Sequence, residues 1–353
     1  MNAVTRGGGK GRLAQALDLV RLTVSSSRLS PFEYWSFGLF DDTRYPWREK
    51  RRFVGRRSRV YRRLRDRRWY ALADDKLVLH AFLAGMGVPT PALYAVFSRD
   101  GRRVGDQPTF TDAKALAAHL RDGMPYPFFG KPVQGTYGAG AIFATGYDRA
   151  HDRLVTLHGG AVSVEDFVTG LVDPRGMGYL FQAAVEPHPD HAALCGPRLP
   201  SARFDIFWGD RAPRVVFAKV MIPTGTNVVN NFRSGRLGNL YAIADERGVL
   251  GPVVRRFTWD HVETSARHPD TGAQLDGVIL PHWETLRDFA LALAPLVPGF
   301  RLQSWDVAMT VHGPIALELN RGTDSVFLGQ RLTGRGFLDD EIGACVRTRP
   351  VLA

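Results

Sequence analysis

Apolar residues recur every three or four positions in several parts of the chain, which is the spacing of one face of a helix. The first such segment, residues 11–24, carries Leu13, Ala16, Leu17, Val20 and Val24. Further helices are predicted from Asp74 or Asp75 to Met86, from Thr111 or Asp112 to Arg121, and over residues 281–297. The pattern therefore predicts four helices, three in the first 121 residues and one near the C-terminus.

Shorter apolar runs between these helices predict strands, which cover residues 93–97, 128–133, 141–145, 179–186, 214–222, 302–310 and 314–320. Helices and strands do not alternate strictly, and the last two strands are close enough in sequence to form a hairpin. Strict alternation is typical of parallel sheets, whereas hairpins are antiparallel. The order of elements therefore predicts a mixed α+β fold.

Composition bounds the size and the compartment. The chain has 353 residues, of which 44% are hydrophobic, so two or three packed units with a sizeable core are expected. No apolar run approaches the roughly 20 residues that a membrane-spanning helix needs, and residues 1–12 do not resemble a signal peptide. Cys195 and Cys345 are too few for a disulfide framework or a four-cysteine zinc site. We therefore expect a soluble, cytoplasmic protein.

Positive charge is concentrated in one segment. The whole chain has a formal net charge of +11, and residues 44–68 alone hold 13 lysines and arginines against Glu49 and Asp66. The surrounding residues 30–70 are also rich in aromatic side chains. This basic segment predicts salt-dependent contact with an anionic surface, a protein partner or a polyanion. Specific nucleic-acid binding is not expected, because no known nucleic-acid-binding motif is present.

A lysine and several glycines accompany the predicted strand 128–133. The stretch from Gly130 to Gly140 holds Lys131, Gly135 and Gly138. Backbone N–H groups of such a loop can fold over phosphates, and Lys131 would add a positive charge beside them. The stretch is neither a Walker A motif nor a dinucleotide fingerprint, because a strand follows the glycines and the spacing differs. A phosphate-binding flap and a simple glycine-rich hairpin turn are both compatible with these residues.

The last two predicted strands bring three oxygen-bearing side chains together. If residues 311–313 form a three-residue loop with Gly313 in the left-handed conformation, Asp306 pairs with Glu318, and Asn320 lies on the same face. Two carboxylates directly across a ladder repel unless a cation lies between them, and an oxygen-only set suits Mg²⁺. A two-residue turn would instead move Asp306 to the other face. An exposed hairpin with solvated acids is the simpler alternative.

Other polar residues lie where a charge or an amide needs a partner. Arg203 and Lys219 lie within strand-like runs, where a charge is unfavourable unless it is paired or meets a ligand. Asn230, Asn231 and Arg233 lie in a polar loop after a predicted strand. This loop suits a substrate-binding loop or a plain turn.

Together, these residues resemble the ATP-grasp superfamily, and in particular its sugar-transfer-associated group, which is related to the α-L-glutamate ligase-like proteins. The resemblance covers about residues 70–335. It rests on Lys76, the glycine loop and the Asp306, Glu318 and Asn320 set, together with four short motifs. These motifs are Glu186-Pro187-His188-Pro189, Asn231-Phe232, His268-Pro269-Asp270-Thr271-Gly272 and Trp305-Asp306-Val307-Ala308.

The resemblance implies a role for each candidate residue. ATP would be held between two α+β subdomains that clasp the nucleotide, next to a helical N-terminal extension. The implied cofactor-binding residues are Lys76, Lys131, Gly135, Gly138, Gly140, Gln182, Val185, Glu186 and Lys219. Asp306, Glu318 and Asn320 would hold Mg²⁺. Arg203 and Lys131 would act on the transferring phosphoryl group, and Arg203, Asn230, Asn231 and Arg233 would contact substrate. The chain departs from the family at Ala183, where an acidic residue is common, and at Asn230, where many relatives have aspartate.

The activity implied by the resemblance is an ATP-dependent carboxylate–amine, or carboxylate–nucleophile, ligase that forms an acyl-phosphate from small-molecule substrates. The family name implies a cell-surface polysaccharide or sugar-transfer pathway. A kinase-like phosphotransferase on the same scaffold, and a protein that binds a polyanion or a membrane through residues 44–68, remain alternatives. The predicted units are a disordered segment 1–10, a basic helical module 11–70, the first ATP-grasp part 71–125, a small ATP-binding subdomain 126–186, a large metal-binding subdomain 187–340 and a tail 341–353.

Overall fold

The computed structural model describes residues 10–135, 138–171, 178–232 and 235–348. Within these residues the chain forms two seven-stranded sheets with helices packed on them, which confirms the predicted α+β class. The helices are α1 (Arg12–Val24), α2 (Pro31–Ser36), α3 (Trp47–Lys50), α4 (Val60–Leu64), α5 (Tyr70–Asp74), α6 (Lys76–Gly85), α7 (Ala113–Asp122), α8 (Val164–Leu171), α9 (Pro189–Cys195), α10 (Trp283–Leu293), α11 (Thr323–Thr333) and α12 (Asp340–Thr348). The strands are β1 (Leu93–Phe97), β2 (Thr109–Phe110), β3 (Phe128–Pro132), β4 (Ile142–Asp148), β5 (Arg153–Thr156), β6 (Ala161–Ser163), β7 (Tyr179–Ala183), β8 (Ser201–Phe207), β9 (Arg214–Ile222), β10 (Leu240–Ala244), β11 (Leu250–Phe257), β12 (Val262–Thr264), β13 (Leu302–Thr310) and β14 (Gly313–Asn320).

Most of the predicted elements lie where the apolar spacing puts them. Strands β1, β9 and β13 have the predicted bounds, and the helix predicted over residues 281–297 is α10 followed by a 3₁₀ turn, Ala294–Leu296. The predicted strand 179–186 is shorter, because β7 ends at Ala183. The apolar pattern does not predict β2, β5, β6 or β10–β12, which are mostly short strands at or near the sheet edges.

The first sheet has the strand order β2-β1-β7-β3-β4-β5-β6. Helices α7 and α8 cover one face of it, where Leu120 and Phe167 join Phe128 and Phe181 in a buried cluster. Side chains alternate between the two faces of a strand, so this packing leaves the neighbouring positions of β3 and β7 on the opposite face.

The second sheet has the order β12-β11-β10-β9-β8-β13-β14. Helix α10 packs on it as its spacing predicts, with Leu286, Ala290 and Leu293 in one buried cluster with Phe204 and Trp305. Strand β13, at the centre of this packing, is buried over its whole length. It therefore provides a rigid support for the residues of β14 beside it.

The N-terminal helices pack against helix α11, and some residues of the basic segment are buried. Phe37 lies 5.1 Å from the ring of Phe53 and 5.3 Å from that of Phe327. Lys50 is buried and pairs with Asp18 at 2.7 Å. Arg65 is also buried. Part of the basic segment is therefore structural, while other members of it remain exposed.

Both terminal segments contain residues with defined structure. Lys10, in the segment predicted to be disordered, contacts Asp18 at 2.7 Å, and residues 1–9 lie outside the described residues. The predicted tail after residue 340 begins with helix α12, and residues 349–353 lie outside the described residues. Among the helices that the structure describes, none is both long and apolar enough to cross a membrane.

Candidate functional site

Residues from both sheets line one cavity of about 380 Å³. The predicted site residues on its wall are Lys76, Lys131, Gly135, Gly138, Gln182, Val185, Glu186, Asn230, Asn231, Asp306 and Glu318. Four other predicted site residues, Gly140, Arg203, Lys219 and Asn320, do not line it. Arg233 lies outside the described residues. The structure thus brings the lysine of the glycine loop and the acids of the last hairpin to the same cavity.

The first sheet contributes an apolar wall that carries one cation. Phe129 and Lys131 are two positions apart on β3, so both point to the cavity. Phe143 lies opposite Phe129 on β4, and Gln182 lies opposite it on β7. Pro91 and Ala141 also line this mostly apolar part of the cavity. Such a surface suits a planar ring with a charged group attached.

The ammonium groups of Lys76 and Lys131 meet the acids of the hairpin here. Lys76 lies in the first turn of α6, where Nζ donates to the carbonyl of Gly135 at 3.1 Å and lies 3.7 Å from Glu318 Oε1. The pKa of Lys131 is lowered to about 8, chiefly by desolvation and also by the charge of Lys76, while the charges of Glu318 and Asp306 oppose this shift. The lowered pKa indicates that the charge of Lys131 is not fully compensated in the cavity, and an anionic ligand would supply a counter-charge.

The glycine loop closes one side of the cavity. Gly138 has φ +67°, and a Cβ there would lie 2.9 Å from Val229 and 3.0 Å from Asn231 Nδ2. Only glycine fits this conformation and this close approach. The hydroxyl of Tyr179 donates to the carbonyl of Gly140 at 2.8 Å, which fixes the far end of the loop. The loop therefore touches the segment 229–231 of the other half of the molecule, while Thr136 and Tyr137 lie outside the described residues.

The predicted pairing of the last hairpin is confirmed, but the predicted loop is wrong. Thr310 pairs with Gly313, so the turn has two residues and not three. Asp306 nevertheless pairs with Glu318, because the register shifts between Asp306 and Val307. Leu317 is the extra residue of this β-bulge. Leu317 and Glu318 both line the cavity, although successive residues of a regular strand point to opposite faces.

Asp306 is held from behind by Arg203. These residues lie opposite each other on β8 and β13, and Arg203 Nε and Nη2 each lie 2.5 Å from an oxygen of the Asp306 carboxylate. Burial raises the pKa of Asp306, and the bidentate guanidinium opposes this rise. Asn320 Nδ2 lies 3.3 Å from Asp306 Oδ2 and 3.4 Å from Glu318 Oε2. The three predicted metal ligands are therefore adjacent to one another.

This set of residues fits a divalent cation. Two carboxylates directly across an antiparallel ladder repel each other, and Glu318 adds to the rise in the pKa of Asp306. Their donor atoms are all oxygens, which suits a hard cation of the Mg²⁺ type. A bound cation would remove the repulsion and keep both acids ionised.

Lys219, expected to contact the nucleotide, does not line the cavity. It is fully buried on β9, donates to the Asp205 carboxylate, and lies 2.6 Å from Ser325 Oγ. Burial lowers its pKa to about 8, against the favourable charge of Asp205. The structure thus assigns this lysine an internal ion pair behind the cavity.

The polar loop contributes two amides, and a nearby arginine adds to them. Asn230 Nδ2 donates to Ser201 Oγ at 2.8 Å. Arg198, which the sequence pattern does not single out, lines the cavity and pairs with Asp270 at 2.9 Å. Arg198 lies in a Gly-Pro-Arg loop with no periodicity, so only the placement of its loop beside β8 reveals it. Asp270 belongs to one of the motifs quoted above and fixes the position of this arginine.

A second group of polar residues lies outside the cavity wall. His188, Asp190 and His282 each bring one possible ligand atom within 4.8 Å of the others. Asp190 Oδ2 lies 2.9 Å from His282 Nε2, and the Asp190 N–H donates to His188 Nδ1 at 3.3 Å. The bond from the Asp190 N–H to His188 caps α9, and the two hydrogen bonds together account for the arrangement.

The family described as sugar-transfer associated ATP-grasp matches residues 55–340 of this chain. No curated protein sequence matches the chain significantly.

Solved structures with a similar fold include three ligases. D-alanyl-alanine synthetase A from Vibrio cholerae is 10% identical, with a TM-score of 0.44 over 80% of this chain and 66% of that one. D-alanine–D-alanine ligase from Bacillus anthracis is 10% identical, with a TM-score of 0.41 over 80% and 68%. L-amino acid ligase from Bacillus licheniformis is 13% identical, with a TM-score of 0.44 over 79% and 51%. The chain thus spans between 51% and 68% of the length of these proteins.

Proposed function

This chain belongs to the sugar-transfer-associated ATP-grasp family, and on that premise we propose that it uses ATP and Mg²⁺ to activate a carboxylate for ligation to an amine or another nucleophile. The observation that carries the proposal is the shared cavity of Lys131 and Glu318. Lysines of α6 and β3 and acids of the last hairpin on one cavity wall could neutralise the phosphates and hold the metal of a metal-bound triphosphate.

The nucleotide would lie along the first sheet. Lys76 and Lys131 would neutralise phosphate oxygens, and the backbone N–H groups near Gly135 and Gly138 would cover them. The apolar surface around Phe129 and Phe143 would receive the adenine, with the chain after β7 at its edge. Ala183 offers no side-chain hydrogen bond there, so the proposed recognition uses the backbone around Val185 and Glu186.

Asp306, Glu318 and Asn320 would hold Mg²⁺, which neutralises the charge that develops on the phosphates. Arg203 is proposed as a positioning residue, because its guanidinium contacts Asp306 and does not line the cavity. It would keep the Asp306 carboxylate ionised and fixed in orientation. Lys219 is assigned no contact with nucleotide, since its ammonium is buried against Asp205.

The reaction would proceed in two displacements. An oxygen of the substrate carboxylate attacks the γ-phosphorus, the bond to the bridging oxygen breaks, and ADP leaves. The nucleophile then attacks the carbonyl carbon of the acyl-phosphate, inorganic phosphate leaves, and the nucleophile loses a proton. Neither step requires a covalent bond to the protein, so positioning and charge neutralisation carry the catalysis. Asn230, Asn231 and Arg198 line the same cavity, and we propose that they contact the acid and the nucleophile.

We also propose that the reaction takes place in the cytoplasm, where ATP is supplied, and serves a sugar-transfer or cell-surface polysaccharide pathway. The family description is the support for the pathway. The acid and the nucleophile are proposed as small molecules, because they would share one cavity of about 380 Å³ with the nucleotide.

An ATP-consumption screen with pairs of carboxylates and amines tests this function. ADP and free phosphate should appear in equal amounts only when both members of a pair and Mg²⁺ are present, together with the condensed product. Release of ADP with a phosphorylated hydroxyl compound, and no free phosphate, would instead establish a kinase on the same scaffold. ATP consumption that depends on neither Mg²⁺ nor a carboxylate would contradict the proposal.

A further inference from the structure

Helix α1 packs on the molecule through its polar side. Its buried residues are Gln15, Asp18 and Leu22. Asp18 accepts hydrogen bonds from Lys50 and Lys10, both at 2.7 Å. Gln15 accepts one from the indole N–H of Trp35 at 3.2 Å. The inward face is thus fixed by specific polar contacts, so its orientation is well determined.

The apolar face of α1 therefore points away from the molecule. Leu13, Leu17, Val20 and Val24 are 78%, 52%, 60% and 77% exposed. At about 100° per residue they lie within an arc of about 60°, on the side opposite the buried residues. We call these four side chains the outer face of α1. A helix with its polar side inward and its aliphatic side in solvent is the reverse of the usual arrangement.

Exposed apolar side chains are concentrated in this part of the chain. Of the ten large apolar side chains that are exposed among the described residues, six lie between residues 13 and 47. The other four, Met86, Trp259, Ile279 and Val311, are far apart in sequence. Single exposed apolar residues are ordinary, whereas a contiguous set marks a surface that binds something.

The border of this face is basic. Arg12 and Arg21 are exposed on its two sides. The guanidinium of Arg21 lies 5.7 Å from the ring centre of Trp47, which is 40% exposed and extends the apolar surface. Arg48, the residue after Trp47, is also exposed. The nearby acids Asp18 and Asp42 are both paired with Lys10 and Lys50, so they do not offset this positive border.

From this geometry we infer that the outer face of α1 docks on an anionic lipid bilayer. A helix of 13 residues is about 20 Å long, so it is too short to span a bilayer but long enough to lie in its interface. Aliphatic side chains with arginines beside them and a tryptophan at the edge are the composition of an interfacial helix. The positive net charge of +11 complements an anionic surface.

A second copy of the chain fits this face less well. A two-fold symmetric contact would bring Arg12 and Arg21 of one copy against the same basic border of the other. The like charges would oppose such a dimer, whereas anionic headgroups neutralise them. The charge of the border therefore favours the bilayer.

Flotation of the full chain with vesicles tests the inference. We expect binding to vesicles of equal parts phosphatidylglycerol and phosphatidylcholine, and no binding to phosphatidylcholine alone. The triple variant Leu13→Gln, Leu17→Gln, Val20→Gln should bind at least about tenfold more weakly, because it removes three exposed aliphatic groups that would enter the bilayer. Glutamine retains helix propensity, so α1 should persist. The matched control Met86→Gln, Ile279→Gln, Val311→Gln removes equally exposed groups elsewhere and should bind like the unchanged chain.

Quenching of tryptophan fluorescence by brominated lipids measures the same binding independently. The variant Trp47→Phe should lose most of this quenching. The inference is overturned if the unchanged chain does not bind the anionic vesicles, or if the α1 triple variant binds them equally well. It is also overturned if the chain forms a concentration-dependent dimer that the triple variant abolishes, because the outer face would then be a subunit interface. ATP turnover should be the same in all these variants in the absence of vesicles, so failure of the proposed ligase activity would leave this test intact.

Discussion

Asp306 and Glu318 lie directly opposite each other across the last hairpin because Leu317 is inserted between the two regular parts of β14. Counted from the two-residue turn alone, Asp306 would face Leu317, and Glu318 would point away from it. The bulge moves Glu318 by one position and onto the cavity wall. The acid pair is thus produced by a local irregularity, of the kind that often lies beside active sites.

Replacement Glu318→Gln should abolish Mg²⁺-dependent ATP consumption with little effect on folding. Its side chain is 31% exposed and its ion pair with Lys76 is long, at 3.7 Å, so the isosteric amide should change thermal unfolding little. Turnover should fall at least about 100-fold, more than the loss typical of residues that only support a metal ligand. Glu263→Gln, an exposed acid on β12, is the matched control and should keep full turnover. Retained activity in Glu318→Gln would remove this residue from the metal site.

Replacement Asp306→Leu should act on stability as well as on activity. It leaves the partly buried guanidinium of Arg203 without its bidentate partner, which typically lowers the free energy of unfolding by about 3 kcal/mol or more. Arg203→Met should be similarly destabilising. The double variant should be more stable than either single variant, because it removes both charges together. Denaturant unfolding of the four proteins measures this coupling, and additive single effects would show that the pair is not coupled.

Lys131→Met should separate nucleotide binding from stability. Burial holds the pKa of this lysine near 8, so its charge is already unfavourable in the folded protein. Thermal stability should therefore stay the same or rise, while ATP affinity measured by calorimetry should fall about tenfold or more. Lys114→Met, which removes an exposed lysine from α7, should leave both quantities unchanged. A Lys131→Met protein that unfolds easily would indicate a structural role instead.

The sequence predicts those parts of the structure that local spacing determines. The bounds of β9 follow from a mostly apolar run, and α10 follows from its amphipathic pattern. The helical spacing also predicts α1, but it does not say which face is buried. The buried face is determined by hydrogen bonds of Asp18 with Lys50 and of Gln15 with Trp35, which are 32 and 20 residues apart in sequence. Local patterns carry no information on such contacts.

The candidate site shows the same division. The glycine loop and the acid pair are visible as motifs because they are close together in sequence. The sequence predicts that Arg203 and Lys219 contact the nucleotide or the substrate, because a charge within a strand needs a partner. Their partners, Asp306 and Asp205, depend on which strands become neighbours across the sheet. Nothing in the local sequence indicates the bulge at Leu317. The expected pairing of Asp306 with Glu318 rests on a three-residue turn, whereas in the structure the same pairing results from a two-residue turn and the bulge.

Lys219→Met should therefore reduce stability and spare nucleotide binding. The variant leaves the fully buried Asp205 carboxylate without its counter-charge, which typically costs about 3–5 kcal/mol. ATP affinity of the remaining folded protein should stay within about twofold of the original. Adding Asp205→Leu should recover part of the lost stability. Loss of ATP affinity without loss of stability would show that this lysine contacts the nucleotide after all.

His191 provides a prediction about pH. It is 2% exposed, and its Nε2–H donates to the carbonyl of Pro281 at 2.9 Å. Its Nδ1 is buried and has no hydrogen-bond partner among the described residues. Protonation would place a positive charge on this nitrogen, so burial lowers the pKa of His191 below its usual value of 6.5, and the nearby His282 and His188 act in the same direction.

Because the pKa of His191 is lower in the folded chain than in the unfolded chain, the unfolded chain binds more protons once the pH falls below about 6.5. The stability of the fold should therefore decrease between that pH and the lower folded pKa. His191→Gln keeps a donor for the Pro281 carbonyl but cannot take up a proton. Its melting temperature should fall less than that of the unchanged chain between about pH 7.5 and about pH 5.5. Burial also lowers the pKa of His80 and His119, so some acid sensitivity should persist in the variant. An equal fall in both proteins would mean that His191 does not titrate in this range.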